Sequence, residues 1–227
     1  MEKSKRKWIK RAALVFAAVF AVAVVLQVAL DGLASYRGFY YRVIDNDTAV
    51  EIARYTGRGG SVRIPSHIGD LPVTRIAEHT FTYLTRGNRR GLDIAEVSIP
   101  HTITYIGIGA FGRNQLNSVT IGPNVTRVRR NAFRSNGLAS VYISGSVMYL
   151  SGFYSNNLTS IHIPCGVRYI GGWAFRRNLL ASVSIPDSVA YIGDRAFQYN
   201  RLTEVSIPRH TAVADNAFDR GVAIIRR

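Results

Sequence analysis

The chain has 227 residues, 47% of them hydrophobic, and a formal net charge of +15 from 29 Lys+Arg against 14 Asp+Glu. The length suits one domain of ordinary size plus an appended segment, and the single cysteine, Cys165, excludes an intrachain disulfide. The charge points to anionic partners such as sulfated glycans, acidic proteins, phospholipid headgroups or nucleic acid.

Residues 1–34 differ in kind from the rest. Met1 to Arg11 carries Lys3, Lys5, Arg6, Lys7, Lys10 and Arg11 against Glu2, and Ala12 to Leu30 is 19 residues with only Gln27 polar. A basic end followed by an apolar run is the pattern of an export signal, basic end in the cytoplasm. Two fates stay open. A run of this length can span a hydrocarbon core of about 30 Å and remain as an anchor giving membrane association through residues 12–30. Alternatively Gly32-Leu33-Ala34 places small residues ahead of a cut before Ser35. Both put residues 35–227 outside the cytoplasm, in the periplasm, on the cell surface or secreted. No cysteine follows the run, which argues against a lipid-anchored lipoprotein. Cys165, in the Pro164-Cys165-Gly166 turn, reads as an incidental turn residue.

Beyond this segment a phrase of the form V-x-I-P…V-x-x-I-G-x-x-A-F-x-x-N-x-L recurs seven times, mostly 22 residues apart. Its strand pairs are Val62/Ile64, Val97/Ile99, Val119/Ile121, Val141/Ile143, Ile161/Ile163, Val183/Ile185 and Val205/Ile207. In step come Phe81, Phe111, Phe133, Phe153, Phe175, Phe197 and Phe218. A fixed period of this size is the signature of a solenoid, in which one repeat cannot bury its apolar face without a neighbour. Within a repeat, Val183-Ser184-Ile185 alternates as a short strand. Pro186 ends it, and Asp187-Ser188 turns the chain. Val189 and Ile192 make a second inward pair, and Phe197 plugs the coil. The phenylalanines are expected to form one internal column, each preceded by a small residue (Thr80, Ala110, Ala132, Gly152, Ala174, Ala196, Ala217). Asn114, Asn136, Asn156, Asn178 and Asn200 stand three residues after a phenylalanine, where a buried amide can satisfy turn backbone groups.

These residues carry a resemblance. The phrase resembles the BspA-like, or treponemal-type, leucine-rich repeat over about residues 36–225. Phe39 to Pro65 looks like that family's amino-terminal hairpin cap, and Leu71-Pro72-Val73-Thr74 like the link into its first repeat. The resemblance implies a mainly-β (or α/β) repeat solenoid: a right-handed horseshoe with a parallel concave sheet and short strands or 3₁₀ turns on the convex side. It also implies an exported surface protein used for adhesion or protein binding, with no catalytic residues to carry over. The organisation expected is 1–34 signal or anchor, 35–61 hairpin cap, 62–221 seven repeats, and 222–227 carboxy-terminal cap. Two repeats depart from the pattern. Phe81 to Val97 is 16 residues, against eight from Phe111 to Val119, and the added loop holds Arg86, Arg89 and Arg90. Repeat four is two residues short, with Ser144-Gly145 in place of isoleucine-proline.

Three surface files could bind a partner. The residue between each inward strand pair points out of the concave sheet: Arg63, Ser98, Thr120, Tyr142, His162, Ser184 and Ser206. It reads either as sheet filler or as a polar groove anchored by Tyr142 and His162. A second file, Tyr105, Arg127, Tyr149, Tyr169 and Tyr191, carries the residue types most enriched in hot spots, and stacking between coils explains it equally well. The third is basic. After Lys10 every cation is arginine, and no acid stands between Val97 and Pro186. Arg113, Arg129, Arg130, Arg134, Arg176 and Arg177 fall in turns of that stretch, either as solvated turn charges or as a ridge for an anionic partner. Mixed signs would serve solubility alone.

No catalytic chemistry is legible. His67, His79, His101, His162 and His210 are scattered without metal-ligand spacing. Gly57-Arg58-Gly59-Gly60 leads into a strand, not a phosphate-binding helix start. No cofactor is expected. The expected function is a non-catalytic exported protein that engages an extracellular or envelope protein, or an anionic glycan. One alternative is a periplasmic envelope protein with a structural or tethering role. Nucleic-acid binding shares the charge but conflicts with export and lacks a recognition motif. Oligomeric state and partner identity are left open.

Overall fold

The computed structural model describes residues 33–85 and 88–227. The basic end and apolar run, with the expectations attached to them, lie outside the described residues, as does Arg86. Among the described residues no helix is long and apolar enough to cross a membrane.

The chain is a β-solenoid with a parallel sheet and, among the described residues, no helix. It opens on an antiparallel meander, Ala34–Tyr36, Phe39–Ile44 and Ala49–Tyr55. The last of these pairs in parallel with Leu71–Ile76. From there Tyr105–Ile106, Arg127–Val128, Tyr149–Leu150, Tyr169–Ile170, Tyr191–Ile192 and Ala212–Val213 add one after another, all parallel. Because each coil repeats the last, equivalent positions fall side by side. An unbroken ladder of hydrogen-bonded strands therefore runs along the file of Tyr105 and Arg127.

The V-x-I strands pair only in places: Gly60–Arg63 with Ile94–Ser98, Ser118–Ile121 with Ser140–Ile143, and Glu204–Ile207 with Ala223–Arg226. No strand forms over 161–163 or 183–185. Proline alone does not decide this: Ile94–Ser98 pairs although Pro100 has no N–H to give at the position where Ser144 N donates to Ile121 O (3.1 Å). The second residue of each pair still points inward, with Ile121, Ile143, Ile163 and Ile185 all buried, while Ile161 and Val183 are half-buried.

The core is the phenylalanine column. Ring centroids of successive members from Phe81 to Phe218 lie 4.5, 5.2, 5.5, 5.6, 5.4 and 5.2 Å apart, with interplanar angles of 17° or less. Tyr55 extends it from the meander, 5.4 Å from Phe81. The parallel stacking follows from coil spacing near the strand separation of about 4.8 Å. The small residue before each ring is buried in every repeat.

Beside the column runs the asparagine file. Asn156 Nδ2 donates to Phe133 O and Phe153 O (both 3.1 Å), and its Oδ1 accepts from Leu138 N (3.2 Å). Asn114, Asn136, Asn178 and Asn200 repeat this bridge between coils. At the last coil Asp219 Oδ2 accepts from Tyr199 N (2.8 Å), so a carboxylate closes the turn there.

The shortened repeat draws two backbones together. A Cβ at Gly166 would lie 1.7 Å from Gly145 O, while one at Gly145 would meet nothing within 4 Å. Gly166→Ala should therefore cost about 1–3 kcal/mol, as overpacking does, with Gly145→Ala close to neutral. Urea denaturation of the two variants is the check, and equal midpoints would contradict the close approach.

The insertion in repeat one is not a loop but an antiparallel hairpin, Thr82–Thr85 with Asn88–Gly91. Gly91 seats it, since a Cβ there would lie 1.9 Å from Arg113 O. At the far end Ala223–Arg226 begins a further coil, with Ile224 and Ile225 exposed.

Candidate binding surface

Six of the seven residues of the V-x-I file, Arg63, Ser98, Thr120, Tyr142, His162 and Ser184, are exposed, and Ser206 is half-buried. Tyr142 is 65% exposed, the most of the large apolar-bodied residues. Around the first coils the file borders a groove of about 760 Å³, whose walls include Arg63, Glu96, Gln115 and Thr120.

The second file is brought together in strict register: Arg75, Tyr105, Arg127, Tyr149, Tyr169 and Tyr191 are successive Cα partners. Arg75 was not among the residues expected. Its guanidinium lies 4.7 Å over the Tyr105 ring, and its Nε is 3.7 Å from Glu51 Oε1. Glu51 is buried and also takes a bond from Arg42 Nε (2.6 Å). The signal was present in the sequence, since Thr74-Arg75-Ile76-Ala77 has the form of Thr104-Tyr105-Ile106-Gly107. Part of this file is structural. The Tyr149 hydroxyl stands 2.5 Å from where a Cβ on Gly171 would be, so that ring lies across the next coil. Tyr169 and Tyr191 are exposed, at 49% and 42%.

The arginine file has the most developed geometry. The chain reverses around the five phenylalanines from Phe111 to Phe197 by taking a left-handed conformation two residues after each, as at Arg113 (φ 60°), Arg177 (φ 56°) and Tyr199 (φ 59°). Neighbouring coils thus present successive side chains from one corner. At the position directly after phenylalanine stand Arg134, Tyr154 and Arg176 in consecutive coils. The two guanidiniums lie 5.1 Å and 5.7 Å from the Tyr154 ring centre. Arg176 is also 4.7 Å from both Trp173 and Tyr199, Arg177 is 5.6 Å from Tyr199, and Arg195 is 6.0 Å from Trp173. Arg129 lies 5.8 Å over Tyr149. Arg113, Arg130 and Arg177 are exposed, while Arg129, Arg134 and Arg176 are half-buried.

This arrangement orients charge without cancelling it. The ion pairs among the described residues join Arg42 and Arg75 to Glu51, Arg195 to Asp194 and Arg227 to Asp187, and none involves Arg134, Arg176 or Arg177. A cation over a ring face gains about 0.5–1 kcal/mol at an exposed site, enough to order a guanidinium that no carboxylate neutralises. Tyr154, Trp173 and Tyr199 were not picked out in the sequence. The period alone could have found them, because they share the corner positions of Arg134, Arg195 and Arg177. Among the described residues no group of three His, Cys, Asp or Glu could hold a metal ion.

Coils in register, a stacked aromatic core and side chains displayed in files define a leucine-rich-repeat solenoid. The chain belongs to the family described as BspA type leucine rich repeat region, which matches residues 88–200 and 148–224 in 6 copies. Proteins of this family are often surface adhesion or protein-binding proteins and are typically non-catalytic. Among solved structures the chain is similar to a leucine-rich repeat protein of T. pallidum, 20% identical over 85% of each chain with a TM-score of 0.46. It is also similar to a leucine-rich cell surface protein of Faecalibacterium prausnitzii, 19% identical over 86% of this chain and 76% of that one, TM-score 0.34. A leucine-rich repeat protein of Bacteroides ovatus is 18% identical over 85% of this chain and 70% of that one, TM-score 0.40. No curated protein matches the sequence significantly.

Proposed function

We propose that the chain is an exported, non-catalytic binding protein that holds an extracellular protein or a sulfated glycan along its arginine ridge. The observation that carries this reading is the Arg134–Tyr154–Arg176 stack, whose two guanidiniums are ordered by one ring and lack an acidic partner. On this reading residues 1–34 deliver the chain to the envelope, 35–61 close its first coil, 62–221 display the files and 222–227 end them. Binding is multivalent: each coil adds a weak contact, and the rigid column keeps the contacts at a fixed spacing, so that the second and later contacts form at high effective concentration. Long-range attraction to the acid-free stretch speeds encounter and weakens with salt. Tyr142 and His162 offer a separate anchor on the V-x-I face.

Heparin-agarose tests the ridge. The protein should elute well above physiological salt, about 0.15 M, and the triple variant Arg134→Gln, Arg176→Gln, Arg177→Gln should elute markedly earlier. Elution of the unaltered protein below that salt would remove the ridge as a binding surface.

A further inference from the structure

One coil interrupts the ridge. Directly after phenylalanine, Gly112 stands where later coils carry Arg134, Tyr154, Arg176 and Gln198. Two residues before phenylalanine, Gly109 stands where they carry Asn131, Trp173 and Arg195. The His79 ring takes the place of a side chain on Gly109, 2.5 Å from where its Cβ would be. The missing side chain at Gly112 leaves a notch of about 110 Å³ bounded by His79 and Thr82 on one side and by Arg113, Asn131 and Arg134 on the other. Two buried polar atoms of its lining have no hydrogen-bond partner, Asn131 Oδ1 and Arg134 Nε. Leaving such a group unpaired costs about 1–3 kcal/mol, so a ligand that satisfies both would gain on binding.

The two atoms ask for different things. Arg134 Nε–H needs an acceptor, and Asn131 Oδ1 needs a donor. Inorganic sulfate or a peptide carboxylate offers acceptors only. A sulfated sugar offers both, an anionic sulfate oxygen and a neighbouring hydroxyl. The volume is several times the roughly 30 Å³ share of one water, room for a sulfate ester and the hydroxyl beside it but not for a polysaccharide. The chain carrying them would continue along Arg134, Tyr154 and Arg176, which lie next in order on the same corner.

We propose that this notch is the subsite that takes one sulfate group and an adjacent hydroxyl of a sulfated glycan, an inference that rests on the ridge reading above. Gly112 is the residue that opens it, and Asn131 is the residue that takes the hydroxyl.

The test uses the full chain in detergent, calorimetric titration, and a fully sulfated heparin tetrasaccharide as probe. Gly112→Gln fills the notch with the neutral side chain that Gln198 carries at the same position. The first atom added is tolerated, since a Cβ at Gly112 comes no nearer than 3.4 Å to Gly109 O. Asn131→Gly removes the acceptor and keeps the left-handed conformation of Asn131 (φ 61°). Each variant is expected to bind at least tenfold more weakly with an unchanged thermal midpoint, and Arg176→Gln to weaken binding further in either background. Should Gly112→Gln fail to fold, Asn131→Gly decides alone. Full-strength binding by these variants, with loss in Arg176→Gln, would overturn the notch and leave the ridge standing. No binding by the unaltered protein would remove both. Equal competition by sodium sulfate at matched ionic strength, or an oligoglutamate peptide of equal charge losing affinity in parallel, would overturn the assignment to a sugar.

Discussion

Phe133→Ala is expected to lower the unfolding free energy by about 3–5 kcal/mol, the range for truncating a buried phenylalanine. The ring is fully buried and stacked at 5.2 Å on Phe111 and 5.5 Å on Phe153. The coils cannot close over the space it leaves. Their separation is set by main-chain bonds on either side, Phe111 N to Ala132 O (2.7 Å) and Phe133 N to Gly152 O (2.9 Å). In a solenoid each coil contacts only its neighbours, so the defect weakens the interface between the two halves rather than one edge. Phe218 supplies the contrast. It stacks only on Phe197 and is 9% exposed, so Phe218→Ala should cost clearly less. Urea denaturation of both variants distinguishes them, and equal losses would sink the idea that two-sided stacking carries the column.

Asn156→Ala is expected to cost about 3 kcal/mol or more. The amide satisfies one N–H and two carbonyls from two adjacent coils at once, and each buried group left unpaired costs about 1–3 kcal/mol. Asn156→Asp should not rescue it, because a carboxylate oxygen would face Phe133 O and Phe153 O where the amide donated. Asn136 is half-buried, so water can replace its amide, and Asn136→Ala should be milder. Amide hydrogen exchange adds a local readout: Leu138 N–H, which bonds to Asn156 Oδ1, should lose protection in Asn156→Ala. Unchanged protection would contradict the role given to this amide.

The two variants bear on what was readable in the chain itself. The column and the asparagine file follow from the period, because a residue at a repeated position meets its own counterpart in the next coil. Phe133 had to lie against Phe111 and Phe153 once the coils were in register. Asn156 had to reach the carbonyls of two such residues for the same reason. The outward direction of Tyr142 and His162 follows from strand alternation.

The surface obeyed no such rule. Its positions vary from coil to coil, so the period says which side chains are neighbours and not how they lie. Arg176 could have reached into solvent, as a turn cation commonly does, and instead sits among Tyr154, Trp173 and Tyr199. The breaks in the V-x-I ladder and the continuity of the other ladder emerged only from the pairing itself. The notch at Gly112 is the absence of a side chain, visible only once the flanking coils supply its walls. By itself the sequence determined the coil, its core and its register, because translation along one axis makes every local requirement also a contact between neighbours. Only the tertiary structure decided which cations are held, which are open and where a ligand has room, because those depend on unlike side chains meeting across coils about 20 residues apart.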